Sequence, residues 1–475
     1  MIPKGEACKD CPFYTYGSFM TPDHMVPGSQ VLFIAQNPGP DEEAGHLLVN
    51  RYWQYGQSYD EWTQVTPQPL IGATGQLFNN RFLPLTGLKR HEVSLANAIR
   101  CRPGASLGLK ADALPPITTA MKLEHSSADI VGALRHCRDS YLHIPDSVKT
   151  IVTMGRYAMF QLTGIQKEES EYGKKAGVME SWRGYGVDTD SFKSFKTVNT
   201  SRYHDLTEEH RVFFTMHIAA LFQGSNKHFF HATLQDFHRL RLLLGRQWPK
   251  ATPSWANRPP TVWPKYSAFD TEYTIEDNTL IRWSLCDTDK NLYCIEADAS
   301  QEQIPIKTGS TIILQNALAD LAHLSRLVDM DAVSIEDMML AHSVLWTGER
   351  HSLNYIQSKY GSLNKYKHLS EETPQAYSAF DAHEPMYMWR NHFIPEFRGD
   401  PLSWRVYKKY RLPLINIINE AQIAGVAVDT ERLRSVQEIL QERIQEYTKR
   451  AREILQDDTF NLSSTKRVRE ALYGV

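Results

Sequence analysis

Short apolar runs divide the first half of the chain and predict a sheet of buried strands. VLFIA (31–35), VSLANAI (93–99), TIVTMG (150–155) and VFFTM (212–216) are apolar almost throughout, and helical stretches lie between them. Strands that alternate with helices in this way form a parallel sheet with helices packed on it. The pattern therefore predicts an α/β fold for this half.

A second pattern begins after residue 265. YSAFDTEY (266–273), IRWSLCD (281–287) and NLYCIEA (291–297) follow one another closely and predict a meander of strands. The sequence from about residue 301 onward is mostly helical in pattern. We expect a second α/β unit here.

The last part of the chain, from about residue 400, predicts helices. Asp429 or Thr430 could cap the start of a long helix. Its apolar residues recur at helical intervals: Leu433, Val436, Ile439, Leu440, Ile444, Tyr447, Ala451, Ile454 and Leu455. One interpretation of this region is a helical hairpin that serves only for oligomerisation or docking.

A proline-rich segment separates the first two patterns. Residues 246–263 lack apolar periodicity and lie within a stretch, 245–265, that contains five prolines. Such a segment is typical of a linker. A chain of 475 residues is also long enough for about three domains.

The composition indicates a soluble globular protein. Hydrophobic residues make up 42% and charged residues 23% of the chain, and no apolar run is long enough to span a bilayer. MIPKGEACKDCPFY at the N-terminus lacks the pattern of a secretory signal, so we expect an intracellular protein, cytoplasmic or associated with the nucleoid. The net charge of −3 neither favours nor excludes a nucleic-acid partner.

Two acids in the predicted strand SAFDTEY raise an electrostatic question. Side chains alternate along a strand, so Asp270 and Glu272 project from the same face. Two carboxylates that close repel each other unless a cation lies between them or one is protonated.

Further acids follow at suggestive spacings. LQNALADL places Asn316 four residues before Asp320, and AYSAFDAHE places Tyr377 four residues before Asp381. On a helix this spacing puts each pair on one face. Hydrolysis of a phosphodiester by two divalent ions about 4 Å apart requires carboxylate ligands of this kind, which suit Mg²⁺ or Mn²⁺.

FDTE, then N-x-x-x-D, then Y-x-x-x-D resembles the three exonuclease motifs of the DEDDy superfamily. The resemblance implies an RNase H-like α/β domain that removes nucleotides from 3′ ends. It implies that Tyr377 positions the attacking water, that Asn316 contacts substrate, and that four acids hold two Mg²⁺ or Mn²⁺ ions: Asp270, Glu272, Asp320 and Asp381. Gln315 departs from the histidine usual in polymerase-associated members, and we expect little effect.

The segment after the nuclease motifs bears on the nucleic acid used. YRLPLINIINEAQIAGVAVDTERL and FNLSSTKRVREALYG resemble the opening of the polymerase region of family A DNA polymerases, where a thumb follows the exonuclease. No palm or fingers motif occurs, so we expect no polymerase activity from this chain alone. Either the sequence is a fragment or a second chain supplies palm and fingers.

Four cysteines of the first half could form a metal centre. Cys8 and Cys11 form C-x-x-C, Cys101 opens CRPG, and Cys137 lies in RHCRDSYL. Four thiolates can hold zinc or an iron–sulfur cluster, although cysteines are also often simply buried. Cys286 and Cys294 are expected to be ordinary core or surface thiols.

The neighbouring motifs favour the cluster. VLFIAQNPGPDEEAG, PLIGATGQLFNN, SLANAIRCRPG, TIVTMGRYAMFQLTG and FTMHIAALFQG together resemble the [4Fe–4S] uracil-DNA glycosylases of families 4 and 5. The resemblance implies a three-layer α/β/α domain whose cluster is bound by Cys8, Cys11, Cys101 and Cys137. It implies that Gln36 and Asn37 lie in the water-activating loop, that Asn97 reads the uracil edge, and that His217 donates to the departing base.

Several positions depart from that family. Asn37 replaces the acid of family 4 and is closer to the NPG loop of mismatch-specific uracil glycosylases; an amide is a poor base. Leu70 replaces a phenylalanine that stacks on uracil, Ile218 replaces a proline, and residues 102–136 include an insertion. Uracil excision is therefore less strongly predicted than the fold.

These patterns together predict a DNA replication or repair protein. We expect a glycosylase-like domain with an iron–sulfur cluster at 1–245, a linker at 246–263, a DEDDy exonuclease at 264–399 and a thumb-like helical region at 400–475. DNA is the expected partner, and the proofreading exonuclease is the expected activity. The alternatives are a subunit that scaffolds a polymerase, whose glycosylase-like domain only binds DNA or senses uracil, and an active glycosylase.

Overall fold

A computed structural model describes most of the chain. The described residues are 2–14, 19–54, 57–102, 126–164, 178–188, 206–207, 209–222, 229–244, 253–274, 276–298, 302–366 and 369–474. Contacts between residues divide the chain into two compact units, Met1–Pro413 and Leu414–Val475. This division does not test the predicted domain boundaries at residues 245, 263 and 399, which remain predictions.

Strands form two five-stranded sheets and two small ribbons within the described residues. In chain order the strands of the first half are β1 (Ile2–Pro3), β2 (Phe19–Met20), β3 (Val31–Ala35), β4 (His46–Gln54), β5 (Gln57–Gln64), β6 (Val93–Asn97), β7 (Thr150–Met154), β8 (Gly186–Asp188) and β9 (Arg211–Thr215). Those of the second half are β10 (Tyr266–Tyr273), β11 (Leu280–Asp287), β12 (Leu292–Glu296), β13 (Ser310–Leu314) and β14 (Val333–Asp337).

The first sheet has the order β6-β3-β7-β9-β8. β3 pairs in parallel with β6 and β7, β7 pairs in parallel with β9, and β8 adds an antiparallel edge. β3, β6 and β7 are buried along their whole length, as expected of strands covered on both faces. The antiparallel ribbon of β4 and β5, inserted after β3, was not predicted.

Helices connect the strands of this sheet. They span Pro40–Ala44, Ala73–Leu77, Ser126–Tyr141, Arg156–Thr163, Val178–Trp182 and Phe229–Leu243, with short 3₁₀ or π turns at Glu6–Cys8, Phe78–Phe82, Leu83–Thr86, Arg90–Glu92 and Ile218–Phe222. Strand and helix side chains share one core that includes Phe33, Phe78, Phe82 and Phe237. The predicted α/β fold is confirmed for this half. The insertion predicted within 102–136 lies largely outside the described residues.

The second sheet has the order β12-β11-β10-β13-β14. β10, β11 and β12 form the predicted antiparallel meander, whereas β13 and β14 pair in parallel beside β10. These last two strands lie in the region whose pattern looked mostly helical. Trp263, from the proline-rich segment, is buried and stacks on Trp283 of β11, with ring centroids 5.9 Å apart.

Helices of the second half follow or cover this sheet. They span Ala317–Leu327, Met338–Leu345, Leu353–Tyr360, Leu369–Glu372, Pro374–Met388, Ile394–Gly399 and Pro401–Val406, with short turns at Met330–Ala332, Trp389–Phe393 and Tyr407–Arg411. Pro374–Met388 packs across β10, β11 and β12 and contributes many residues of the second core. This helix therefore brings its side chains over the strand that carries Asp270 and Glu272.

The unit Leu414–Val475 is helical, as predicted. Its helices are Leu414–Ala424, Thr430–Leu455 and Thr465–Tyr473. The Asp429 side chain caps the long helix by accepting from the Arg432 backbone N–H at 2.9 Å. No helix among the described residues combines the length and apolar character needed to cross a membrane.

Candidate functional site

Three acids from two elements meet beside the second sheet. Asp270 and Glu272 lie on β10, and Asp381 lies on the helix Pro374–Met388. One carboxylate oxygen of each lies within 4.8 Å of the others. Asp381 is buried and the other two acids are half-buried. Because like charges this close repel, the arrangement suits a divalent cation held by hard oxygen ligands.

Tyr377 lies one helical turn before Asp381 on the same helix and is buried. The four-residue spacing therefore places the two side chains on one helical face, as predicted. A further tyrosine, Tyr366, donates a hydrogen bond of 2.5 Å from its hydroxyl to Asp381 Oδ1. Its ring also makes an edge contact with Tyr377, with centroids 6.2 Å apart. The sequence motifs gave no sign of Tyr366.

Asp320 is close to this cluster but is not one of the three. It lies in the helix Ala317–Leu327 and accepts a short hydrogen bond from the Thr271 hydroxyl on β10. Burial raises the pKa of Asp320 to about 7, with smaller contributions from the charges of Asp337 and Asp381. Burial therefore favours the protonated form of this carboxyl more than in a solvated aspartate.

Asn316 does not share a helical face with Asp320, although the spacing predicted this. It lies just before the helix, in the left-handed region at φ +67°. Asp337, which motif reasoning missed, organises this corner: its Oδ2 accepts from the Ala317 backbone N–H at 2.7 Å and its Oδ1 from Leu340 at 2.8 Å. One buried carboxylate thus fixes the beginnings of two helices. Its position at the end of β14, before an apolar helix, was the available signal.

The Gln315 side chain bonds to the backbone of another loop rather than to the carboxylate cluster. Its side-chain amide donates to the His351 carbonyl at 2.9 Å. This hydrogen bond ties the end of β13 to the loop before the helix Leu353–Tyr360.

The four cysteines predicted to bind a cluster lie around one pocket of the first half. Cys8, Cys11, Cys101 and Cys137 are buried and line it with Lys4, Met20, Arg100, His136 and Tyr141. Burial raises the pKa of Cys101 to about 12 and of Cys137 to about 11, so these thiols are protonated unless a metal binds them. Tyr141 Oη lies 2.9 Å from Cys8 Sγ.

The four thiols are a ligand set for zinc or for an iron–sulfur cluster, and either would bind them as thiolates. Cys286 and Cys294 lie elsewhere and are buried in the second half.

The predicted glycosylase residues gather at one edge of the first sheet. Gln36 and Asn37 follow β3, Asn97 ends β6, and His217 comes just after β9. These strands are parallel, so their carboxyl ends meet at the edge where α/β sheets bind ligands. Gly155 allows the close approach of His217: it has φ +86°, and a Cβ there would lie 2.8 Å from His217 Cβ.

Asn97 has a buried side-chain amide. The residue is 1% exposed, and neither the oxygen nor the nitrogen of the amide has a hydrogen-bond partner among the described residues. Leaving a buried polar group unsatisfied costs about 1–3 kcal/mol. Burial lowers the pKa of His217 to about 4, so this imidazole is neutral at physiological pH. The Asn37 side chain donates to the Pro38 carbonyl at 3.1 Å.

Leu70 replaces a stacking aromatic and also adopts a strained backbone, with φ +56°. Two charged residues that motif reasoning missed hold it there. Glu42 accepts from the Leu70 backbone N–H at 2.8 Å and from Gly39 at 3.2 Å, while Arg90 donates to the Leu70 carbonyl at 3.3 Å. Burial raises the pKa of Glu42 to about 7. Glu42 therefore clamps the loop after β3 to the loop of Leu70.

Comparison with known proteins supports the interpretation of the first half. Residues 22–238 match the family model of the uracil DNA glycosylase superfamily. A Type-4 uracil-DNA glycosylase from Sulfurisphaera tokodaii is 23% identical over 97 residues, which is 20% of this chain. The match spans about a third of that relative's length, 34%. The first half is a uracil-DNA glycosylase-like domain, and the chain as a whole is mixed α/β with a helical C-terminal region.

Solved structures similar to this chain include NrnC, an exoribonuclease and a polymerase domain. NrnC of Brucella melitensis with bound Mg²⁺ has 18% identity and a TM-score of 0.28, covering 36% of this chain and 92% of that chain. The POL domain of Pol1 from M. smegmatis in complex with DNA primer-template and dNTP has 17% identity and a TM-score of 0.31, covering 44% and 36%. RNase D of Escherichia coli has 15% identity and a TM-score of 0.25, covering 33% and 45%. All three likenesses are weak, so a nuclease assignment depends on the carboxylates themselves.

Proposed function

We propose that residues 264–399 form a metal-dependent 3′–5′ exonuclease that acts on DNA, as the proofreading part of a family A polymerase. The observation that carries the proposal is the convergence of Asp270, Glu272 and Asp381 within 4.8 Å from two elements. Their order along the chain is that of the DEDDy motifs. Isolated surface carboxylates would have no reason to converge against their mutual repulsion.

Each residue has a distinct role in this proposal. Two bound Mg²⁺ or Mn²⁺ ions would supply charge neutralisation at the attacking and leaving oxygens. Asp270, Glu272 and Asp381 hold them, and Asp320 completes the set once its carboxyl is ionised. Tyr377, on the same helical face as Asp381, orients the attacking water. Asn316 contacts the strand that enters the site.

A labelled oligonucleotide tests the proposal. The chain is incubated with Mn²⁺ and a 5′-labelled single-stranded DNA, and we expect a ladder that shortens from the 3′ end by single nucleotides. Asp270→Asn should abolish the ladder, whereas Asp289→Asn, at an exposed carboxylate of the same half, should leave it intact. Equal digestion by wild type and Asp270→Asn would refute the assignment. An RNA of the same sequence shows which nucleic acid is preferred.

A second activity is favoured by the orphaned amide of Asn97. We propose that the edge of the first sheet binds a uracil base, since uracil offers the donor and acceptor that the Asn97 amide lacks. Neutral His217, just after β9 at the same edge of the sheet, donates to the base. A uracil-containing oligonucleotide, treated with alkali after incubation, breaks at an abasic site if the base is excised. Binding without breakage identifies a uracil-sensing module. If the protein neither binds the uracil-containing oligonucleotide nor breaks it, the proposal is overturned.

We also propose that the cysteine pocket holds a [4Fe–4S] cluster through Cys8, Cys11, Cys101 and Cys137. Its support is the burial of four thiols around one pocket, together with the resemblance of the neighbouring motifs to [4Fe–4S] uracil-DNA glycosylases. Bound there, the cluster would cross-link the N-terminal segment, the loop after β6 and the helix Ser126–Tyr141. Iron and zinc analysis of the purified protein decides between the two metals.

For the remaining region we propose the opening part of a family A polymerase thumb, which cannot polymerise alone. The support is the motif resemblance and the long capped helix Thr430–Leu455. A primer-extension assay with this chain as the sole protein should give no product. A second chain that supplies palm and fingers remains a prediction, which co-purification would test.

A further inference from the structure

The two α/β halves of the unit Met1–Pro413 meet at a buried polar interface that neither set of motifs predicts. Tyr185 of the first half donates from its hydroxyl to the Asn354 carbonyl at 2.9 Å, and Arg239 donates to the Gln357 and Gly361 carbonyls at 2.8 and 3.0 Å. The acceptors all belong to the helix Leu353–Tyr360 or the residue after it. This helix of the nuclease half is therefore fixed by the glycosylase-like half.

A buried ion pair of the first half lies at the same contact. Arg183 and Asp236 of the first half are fully buried and paired, and Arg183 also donates to the Ser358 hydroxyl at 3.1 Å. Gly184 permits the approach: at φ +78°, a Cβ there would lie 2.5 Å from the Ser358 carbonyl oxygen. Tyr355 even joins the hydrophobic core of the first half. The first half and the helix Leu353–Tyr360 thus share buried polar contacts and part of one hydrophobic core.

The contact continues along the chain to the carboxylate cluster. Lys365 is 3% exposed, and its ammonium donates to the Ser181 carbonyl of the first half at 2.8 Å. The same ammonium lies over the Trp182 ring, 4.7 Å from its centroid. The next residue, Tyr366, makes the 2.5 Å hydrogen bond to Asp381. Adjacent residues thus bind the glycosylase-like half and a carboxylate of the candidate metal site.

We propose that the glycosylase-like half positions Asp381 for metal binding, through Lys365 and Tyr366. Lys365 anchors residues 365–366 to the first half, and Tyr366 fixes the direction in which Asp381 presents its carboxylate. Lys365 and Tyr366 are positioning residues, since they act on the metal through Asp381. The inference rests on the proposed nuclease function and adds a role for the first half that does not depend on uracil.

Metal binding measured without hydrolysis tests this inference. Mn²⁺ affinity is measured on the full chain by electron paramagnetic resonance, with the melting temperature as a check on folding. Tyr366→Phe keeps the ring and removes one hydrogen bond to a charged acceptor, so we expect about tenfold weaker Mn²⁺ binding. Lys365→Met keeps the stem on Trp182 and should weaken it about threefold, a factor in the range of one neutral hydrogen bond.

Matched controls are available in the same chain. Tyr410→Phe and Lys290→Met alter exposed residues and should leave Mn²⁺ affinity unchanged. Arg239→Met removes the two hydrogen bonds that the first half donates to the Gln357 and Gly361 carbonyls, just before Lys365 in the chain. This variant replaces Lys365→Met if Lys365→Met does not fold.

The outcomes separate this inference from the proposed function. Absence of Mn²⁺ binding by wild type, or equal binding by wild type and Asp270→Asn, defeats the nuclease assignment itself. The positioning role alone is overturned if Mn²⁺ binding depends on Asp270 but folded Tyr366→Phe binds Mn²⁺ as tightly as wild type. The same holds if folded Lys365→Met, or its replacement, binds as tightly as wild type. A lower melting temperature with unchanged Mn²⁺ affinity has the same meaning, because a merely structural role would give that result.

Discussion

Asp270 and Asp381 present carboxylate oxygens within 4.8 Å of each other, one from a strand and one from a helix that crosses it. Glu272 completes the group. Three carboxylates held this close raise the free energy of the fold unless a cation offsets their charge. The three carboxylates should therefore lower the free energy of unfolding in the absence of metal, and this effect can be measured.

Removing one of these charges should stabilise the metal-free protein. We expect Asp270→Asn to raise the free energy of unfolding in EDTA by about 1 kcal/mol, since it relieves repulsion in a half-buried site. Addition of Mn²⁺ should raise the melting temperature of wild type and have no effect on the variant. Differential scanning fluorimetry measures both. A variant that is less stable than wild type in EDTA would argue against stored repulsion.

Acidification should destabilise the fold through His217. Burial lowers the pKa of His217 to about 4, whereas an unfolded histidine has a pKa of about 6.5. Between these values the unfolded chain binds a proton that the native chain does not, so stability falls as pH decreases through this window. His217→Gln should show a smaller loss of melting temperature between pH 7 and pH 4.5 than wild type. The exposed His91→Gln variant should match wild type; an equal loss in all three proteins would contradict the burial of His217.

The cysteine pocket should lose its metal when one thiol is removed. Aerobically purified wild type should contain about four iron atoms per chain and absorb visible light. Cys101→Ser should lose both signals, because it removes one of the cluster's four ligands. Cys286→Ser is the matched control, since Cys286 is equally buried but lies in the other half. Zinc in place of iron, or full iron content in Cys101→Ser, would refute the proposed ligand set.

Asn97 should contribute to ligand binding but not to the stability of the fold. Asn97→Leu replaces an unsatisfied buried amide by an apolar group of similar size, so we expect a gain of about 1 kcal/mol in unfolding free energy. The same variant should lose preference for uracil-containing over thymine-containing single strands in a fluorescence-anisotropy assay. Asn391→Leu, at an exposed site, should change neither property. Lower stability of Asn97→Leu would show that the amide has a structural partner.

Local pattern was enough to predict the strands that carry both candidate sites. β3, β6, β7, β9 and β10 begin and end within two residues of the predicted strands. For β3, β6 and β7 the reason is that strands buried on both faces must be continuously apolar. Asp429 as a helix cap was equally readable. The side-by-side placement of Asp270 and Glu272 follows from strand geometry alone.

Long-range contacts limited the rest. Strands β13 and β14 come just before the helices Ala317–Leu327 and Met338–Leu345, so their local pattern was assigned to the helical region around them. Asn316 adopts a left-handed conformation that its spacing from Asp320 could not show. Lys365 and Tyr366 act through partners distant in sequence, Ser181 and Asp381, and only tertiary structure brings these together.

Crystals of the full chain soaked in Mn²⁺ test the central claim most directly, since anomalous scattering locates the ion without any assay of activity. We predict a manganese peak bonded to carboxylate oxygens of Asp270, Glu272 and Asp381 in wild type, and its absence in Asp270→Asn. A well-diffracting wild-type crystal with no peak among these three side chains, or with manganese only at other surfaces, would contradict the account.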